Sequence, residues 1–356
     1  MPEQKYYPQL DALRAFAAFG VIHLHWFNSE YTGLFDIDHS SNWGFGHFGV
    51  QLFFVLSGFL ITNILISNKN TKSSGQIIKN FYIRRFLRLI PIYYLFLAFL
   101  VLMKDEFVIN NIVWFLTYTS NFRFYSVGLV DVWSNHLWTL SIEEQFYLVF
   151  PFLILFISKT YDVFIPIVLM TFALLFKSLN MHTDDPIGLL TMAQMDMLGA
   201  GVGLALIKNR STKWFDLLTS KVGNLIMVIT LLSCLWIYYF VSEDSILWYT
   251  FDYLLVISFT LLVANTAHGF SGVTGKIFTN KFLIYLGKVS YGLYVYHKVV
   301  PLSLIIVLKK LEIQMDNILI YYFVNLAILL VITHFSWILV EKPILKLKSR
   351  FEYQSN

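Results

Sequence analysis

Residues 46–67 read GHFGVQLFFVLSGFLITNILIS, a run with no Asp, Glu, Lys or Arg. A helix needs about 20 apolar residues to cross about 30 Å of hydrocarbon, so this run reads as a membrane span. Working outward from it, nine further candidates occupy 9–28, 82–104, 140–158, 161–179, 186–207, 221–241, 246–266, 282–308 and 316–340. Residues 107–121 form one more apolar segment, short enough to lie at the interface or to make a brief crossing. Composition demands such a fold. The chain is 57% hydrophobic and 13% charged, against roughly 45–50% and 25% for soluble domains, so a water-facing surface cannot be covered. The 34 Phe, 21 Tyr and 9 Trp suit buried helix contacts and interfacial belts.

Loop charge sets the orientation, because cytoplasmic loops collect Lys and Arg. The loop after the first span carries Glu30, Asp36 and Asp38, whereas the next carries Lys69, Lys72 and Lys79 and runs into Arg84, Arg85 and Arg88. Asp184 and Asp185 then read as outer, Lys208, Arg210, Lys213 and Lys221 as inner, and Glu243 and Asp244 as outer. Lys342, Lys346, Lys348 and Arg350 place the tail inside; Lys104, Arg123, Lys309 and Lys310 run against the pattern. The expectation is an all-α integral membrane protein of about ten transmembrane helices with both ends cytosolic. Residues 1–345 would form one multi-span domain and 346–356 a short cytoplasmic tail. The first span has no small-residue cleavage site behind it and reads as retained. One cysteine, Cys234, permits neither an intramolecular disulfide nor a thiolate cluster, so no metal is expected. A net charge of +4 gives no case for a nucleic-acid partner.

Ionisable groups inside spans cost about 2.5–3.5 kcal/mol at mid-helix on insertion scales, so each needs a reason. In LDALRAFAAFGVIHLHWF (10–27), Arg14 and His25 lie eleven residues apart. At about 100° per residue they return to nearly one face, separated by about 16 Å along the axis. A snorkelling Arg14 and an interfacial His25 fit that spacing equally well. FYIRRFLRLIPIYY (81–94) sets Arg84, Arg85 and Arg88 at i,i+3 and i,i+4 spacings at the cytosolic edge. They are either anchors or, with Arg14, a phosphate-binding pocket. HLWTLSIEEQFYLVFP (136–151) puts Glu143 and Glu144 toward the outer side, where one of them would cap the helix or orient His25. Asp196, beside Gly199, Gly201 and Gly203, is a site residue or the hydrogen-bonded partner of a neighbouring helix. Ser290, Tyr291, Tyr294 and His297 form a polar stripe that lines a cavity or bonds across helices.

These motifs, in number and order, resemble the acyltransferase-3 family of bacterial membrane-bound O-acyltransferases that modify carbohydrates. The matching pieces are Arg14-x10-His25, GVQLFFVLSGFLIT (49–62), RRFLRLIPIYY (84–94), HLWTLSIEEQFYLVFP (136–151), the Asp196 segment, YLGKVSYGLYVYH (285–297) and SWILVEKP (336–343). The resemblance implies that His25 is catalytic, that Arg14 is essential and that Arg85 and Arg88 contact acyl-CoA. Some members of the family add an extracytoplasmic SGNH-type domain. None is seen here, so the membrane domain is expected to reach the final acceptor alone.

The expected activity is transfer of an acyl group, acetyl foremost, from cytosolic acyl-CoA to a hydroxyl of a surface carbohydrate or glycolipid. Lipopolysaccharide O-antigen, capsule and exopolysaccharide are the candidate acceptors, and the bacterial cytoplasmic membrane is the expected location. Acyl-CoA is a co-substrate, with no permanently bound cofactor. His25, Glu143, Glu144 and Arg14 form the catalytic set. Arg14, Arg84, Arg85 and Arg88 hold the donor, and Ser290, Tyr291, Tyr294, His297 and Asp196 face the acceptor. A secondary transporter or a lipid-linked glycan translocase is the alternative, since intramembrane Arg, His and Asp also mark transport pathways.

Overall fold

The computed structural model describes residues 6–27, 45–69, 71, 73–128, 133–180, 183, 185–242, 245, 247–313 and 317–351. Among them the regular structure is helical throughout. The loop charges at Glu30, Asp36, Asp38, Lys72, Asp184, Glu243 and Asp244 lie outside the described residues. The main helices are α1 (Pro8–Phe27), α2 (Phe45–Asn68), α3 (Ser74–Leu102), α4 (Trp138–Phe156), α5 (Phe164–Leu179), α6 (Met195–Arg210), α7 (Lys221–Phe240) and α8 (Phe251–His268). They are followed by α9 (Lys281–Lys288), α10 (Ser290–Tyr296), α11 (Val299–Lys310) and α12 (Ile318–Ser336).

Two-faced apolarity identifies the solvent. On α4, Tyr147, Phe150 and Ile154 are buried, yet Leu148, Val149 and Phe156 on the opposite side are 63%, 55% and 66% exposed. A helix apolar on both its packed and its open face is covered by lipid. The chain is therefore a multi-pass, all-α membrane protein. Among the described residues six helices are long and apolar enough to cross on their own, or seven if α10 and α11 count as one span bent by 47°. Each of the ten sequence segments meets a helix, but the segments are not equivalent. α1 carries Asp11, Arg14, His23 and His25, and is buried along Leu10, Ala12, Leu13, Ala15, Ala17, Ala18, Val21 and Ile22. Protein surrounds it, which is how it tolerates those charges. The 107–121 segment resolves into Glu106–Asn110 and Ile112–Leu116, followed by Ser120–Val127. Each is too short to cross, since even the longest of the three rises only about 12 Å.

α3 starts eight residues before the expected 82, because Ser73 caps it by accepting from the Gln76 N–H. The three arginines thus sit in the third and fourth turns of a continuous helix rather than at its edge. The close packing of α2 on α6 uses Gly201, where a Cβ would stand 2.2 Å from the Val55 carbonyl oxygen and 2.7 Å from the Phe59 nitrogen. Gly203 faces Pro166 of α5, with a 3.4 Å gap to its Cβ. Gly201→Ala is expected to destabilise the fold by about 1–3 kcal/mol through overpacking against backbone. Gly203→Ala should be nearly neutral. Thermal unfolding of the two variants in detergent checks this, and equal melting temperatures would refute the packing argument.

Candidate active site

At one end of the bundle the helices open into a cavity of about 720 Å³, lined by six basic and two acidic side chains: Arg14, Lys69, Arg85, Arg88, Lys159 and Arg210 against Asp11 and Asp162. That volume falls in the range of small-molecule and cofactor sites. The rim is tied together by its own charges. Lys69 Nζ donates to the carbonyls of Ile154 and Ile157, both at 2.7 Å, and Arg210 pairs with Asp162. Arg14 and Arg88 both line this cavity and its continuation into the bundle. Like charges crowded in a cleft of low dielectric favour an anionic guest. Arg85 lies with its guanidinium carbon 3.9 Å from the centre of the Tyr147 ring, a cation–π contact that fixes its plane. The Nε atoms of Arg14 and Arg85 are buried without a hydrogen-bond partner. Unspent donors of this kind are what a phosphate oxygen satisfies.

The cavity narrows into a throat of about 50 Å³ that shares Arg14, Phe53, Arg85 and Arg88 with it and continues past Glu143, Tyr147, Thr139, Ser290, Tyr291 and Tyr294. A hydrogen-bond chain stiffens its wall. The Tyr147 hydroxyl donates to Ser57 Oγ at 3.0 Å, and Ser57 donates to Glu143 Oε1 at 2.5 Å. Tyr294 closes the inner end, its hydroxyl 2.6 Å from Thr139 Oγ1 and 2.9 Å from the His136 carbonyl.

One ring beyond Tyr294 stands His297, with 5.5 Å between ring centres, and beyond that His25, at 4.9 Å from His297. His25 Nδ1 and His297 Nε2 are 3.0 Å apart, and His297 Nδ1 lies 2.5 Å from the Tyr294 carbonyl. A carbonyl only accepts, so His297 carries its proton on Nδ1. Its Nε2 in the neutral ring accepts in turn, and His25 must donate from Nδ1. That assignment, made from the hydrogen-bond pattern, leaves His25 Nε2 as an open lone pair. The pairing joins positions 272 apart in sequence.

Several expected roles are redistributed. His25 bonds to His297 and to the Val21 backbone, one turn back on α1, rather than to a glutamate; Glu143 faces the throat and is held by Ser57, and Glu144 has a buried Oε1 without a partner. His297 belongs with the histidine rather than with an acceptor surface. Arg84 turns away from the cavity. Its Nη1 donates to the carbonyls of Lys348 and Phe351 at 3.1 and 3.4 Å, capping the last helical turn. Asp196 is taken up by Lys177 at 2.7 Å, which also holds Asp252 at 2.7 Å. Its setting is therefore that of a helix partner between α5, α6 and α8. Ser290, Tyr291 and Tyr294 do line the throat, although the Tyr291 hydroxyl is spent on the Leu89 carbonyl at 2.9 Å. Ser57 and His136 were not singled out from the sequence, yet each lies inside a motif quoted above. Their signal was an unexplained polar side chain in an apolar run.

The profile for "Acyltransferase domain", acyltransferase-3, matches residues 7–339. The chain belongs to the acyltransferase-3 family. It is 32% identical over 371 residues to the peptidoglycan O-acetyltransferase OatA of Listeria monocytogenes, covering 96% of this chain and 56% of that protein. It is 28% identical over 369 residues to the O-acetyltransferase OatA of Staphylococcus aureus, covering 97% and 58%. The chain thus spans little more than half the length of these curated relatives. No solved structure matches it. Within the acyltransferase-3 chain described here, the matched region holds the arginine cavity, the throat and the histidine pair together.

Proposed function

We propose that this chain is a membrane-bound O-acyltransferase that carries an acyl group, acetyl foremost, from cytosolic acyl-CoA to a hydroxyl of a cell-surface carbohydrate. The observation that carries this reading is a six-cation cavity whose throat ends at Tyr294, one ring short of the hydrogen-bonded His297–His25 pair. In this reading ten spans leave both termini in the cytosol, within the bacterial cytoplasmic membrane. The cavity then opens to the side assigned to the cytosol by Lys69 and Arg210, where acyl-CoA is available. The names of both relatives support acetyl as the group, and that of the Listeria protein supports an envelope glycan as the acceptor, with peptidoglycan joining O-antigen, capsule and exopolysaccharide.

The donor's phosphates rest against Arg88, Arg14 and Arg85, and the pantetheine arm extends about 16 Å along α1 toward His25. Tyr294 and Thr139 must part for the thioester to pass. His25 Nε2 then takes the proton of the acceptor hydroxyl, and the oxygen bonds to the thioester carbon. Collapse of the tetrahedral intermediate breaks the C–S bond, and the thiolate recovers the proton from His25. His297 acts as a positioning residue that fixes the His25 tautomer, much as a carboxylate does in other histidine bases. A variant path, with His25 acylated first, is tested by incubating the protein with labelled acetyl-CoA without acceptor and looking for label on His25.

The deciding experiment feeds labelled acetyl-CoA to inverted membrane vesicles that contain the protein and its native envelope glycans. Label in the polysaccharide fraction, with a mass gain of one acetyl group on surface glycans of expressing cells, is the expected result. Glycan movement across the membrane without acyl transfer would instead establish the transporter reading.

A further inference from the structure

Glu143 and Glu144 are adjacent in sequence and so point about 100° apart on α4; the first of them lines the throat. Among the described residues of that lining Glu143 alone is acidic, and apart from Arg14, Arg85 and Arg88 the rest is uncharged. Its depth follows from helix geometry. Thr139, which meets Tyr294 at the inner end, lies four residues before it, and Tyr147, on which Arg85 packs, four residues after. Each is therefore one turn, or about 6 Å, away. All three arginines also line the wide cavity, whereas Glu143 lines the throat alone. The order inward is arginines, then Glu143, then the Tyr294–Thr139 closure.

Glu143 is held as a charge acceptor. Ser57 Oγ stands 2.5 Å from its Oε1, within the about 2.5–2.7 Å of a hydroxyl donating to an ionised oxygen. The Tyr147 hydroxyl donates to Ser57 in turn, so two hydroxyls line up toward the carboxylate. Among the described residues Glu143 forms no ion pair. Oriented by hydroxyls and not neutralised by a bonded cation, it projects its charge across the narrowest part of the path.

An acyl-CoA can bring negative charge at either end. Its phosphates stay with the arginines in the cavity, but the acyl end has to pass Glu143 to reach His25. We propose that Glu143 makes the throat selective for uncharged acyl groups, so that acetyl and its neutral homologues pass and dicarboxylic acyl groups such as malonyl and succinyl are turned back. This rests on the acyltransferase reading. Like charges brought close together repel strongly at the effective dielectric of a protein. A throat of about 50 Å³ leaves them no room to separate and little water to screen them.

The test uses two donors of nearly one size. Malonyl-CoA ends in a carboxylate where acetoacetyl-CoA ends in a neutral methyl ketone. Each is supplied in labelled form, at limiting concentration, to inverted native vesicles. The unsubstituted protein is expected to transfer the acetoacetyl group about 10–100-fold faster than the malonyl group. Glu143→Gln keeps an oxygen for Ser57 and removes the charge, and should bring the two rates within about threefold. Comparing donors within one protein cancels any general loss of activity, and melting temperatures report the fold. A parent that uses the two donors within threefold of each other overturns the proposal. A parent that uses acetyl-CoA but neither of the two makes size the filter and overturns it as well. So does a folded Glu143→Gln variant that keeps the parental ratio, or one that transfers from no donor, which would assign Glu143 to the chemistry. The parent comparison needs no substitution and stands whether or not the variant folds. Absence of labelled glycan from acetyl-CoA with the unsubstituted protein would instead remove the acyltransferase reading itself.

Discussion

Replacing His25 with alanine is expected to lower acyl transfer about a thousandfold while leaving the fold and the capture of acyl-CoA intact. A positioned general base contributes about 10²–10⁴. His25 is the imidazole whose outer nitrogen is left open when the hydrogen bonds from the Tyr294 carbonyl through His297 are assigned their protons. Truncation leaves His297 Nε2 without a donor, at a cost of about 1–3 kcal/mol, which a bundle of this size absorbs. Arg14 lies about three helical turns away along α1, and Arg85 and Arg88 line the same cavity from α3, so donor binding should not change. Rates of label transfer, a melting curve and direct acetyl-CoA binding separate the three effects. A variant that folds, binds and transfers at the parental rate would remove His25 from the mechanism. His297→Phe adds a sharper comparison. If His297 acts only through His25, the double variant is no slower than His25→Ala alone, because residues that act as a unit are not additive.

The all-α membrane fold was legible in the sequence, but the side-chain pairings were not. Arg14 and His25 could be placed on one face of α1 because eleven residues bring a helix back on itself, and loop charge put the arginines at one end of the bundle. Their convergence in one cavity follows from those two facts. The partner of His25 could not be read in the same way. His297 is 272 positions away, on a helix that breaks at that point, and helical spacing carries no information across such a gap. Glu143 and Glu144 were the nearer guess because a carboxylate is the commonest orienting group for histidine. Ser57, an unremarked hydroxyl in VLSGFL, claims Glu143 instead. The alternatives left open at Arg84 and Asp196 have a related cause. A charge inside a span demands a partner, but the demand is met equally by helix-end carbonyls, as for Arg84, or by a lysine such as Lys177 on the next helix. The bent path at Tyr296–Val299 does have a mark in the sequence, Pro301, which lacks the N–H that would bond the His297 carbonyl four residues back; what the sequence hides is where the replacement donors come from, α1 and the turn before α4.

Arg88→Gln is expected to raise the acetyl-CoA concentration for half-maximal rate by about 10–100-fold, with the rate at saturation close to that of the parent. A hydrogen bond to a charged group is worth about 1.5–3 kcal/mol, and each 1.4 kcal/mol is tenfold in affinity. Arg88 is the better probe of the three because its neighbours are differently engaged. Arg85 also packs on Tyr147, so its loss disturbs the wall of the throat, and Arg14 shares α1 with His25. An arginine that merely anchors the helix would have no effect on half-saturation, so kinetics divide the two readings. Acetyl-pantetheine, which lacks the phosphates, supplies the control. The parent should use it poorly and the Arg88→Gln variant no worse than the parent, since the interaction removed from the protein is already missing from the substrate. Added salt should weaken acetyl-CoA use more in the parent than in the variant, because the cavity opens to water at its rim and the lost attraction is partly screened. A variant that loses acetyl-CoA and acetyl-pantetheine turnover equally would place Arg88 at the reacting carbonyl instead of the phosphates. That result would move the donor's polar end to the Lys69, Lys159 and Arg210 rim.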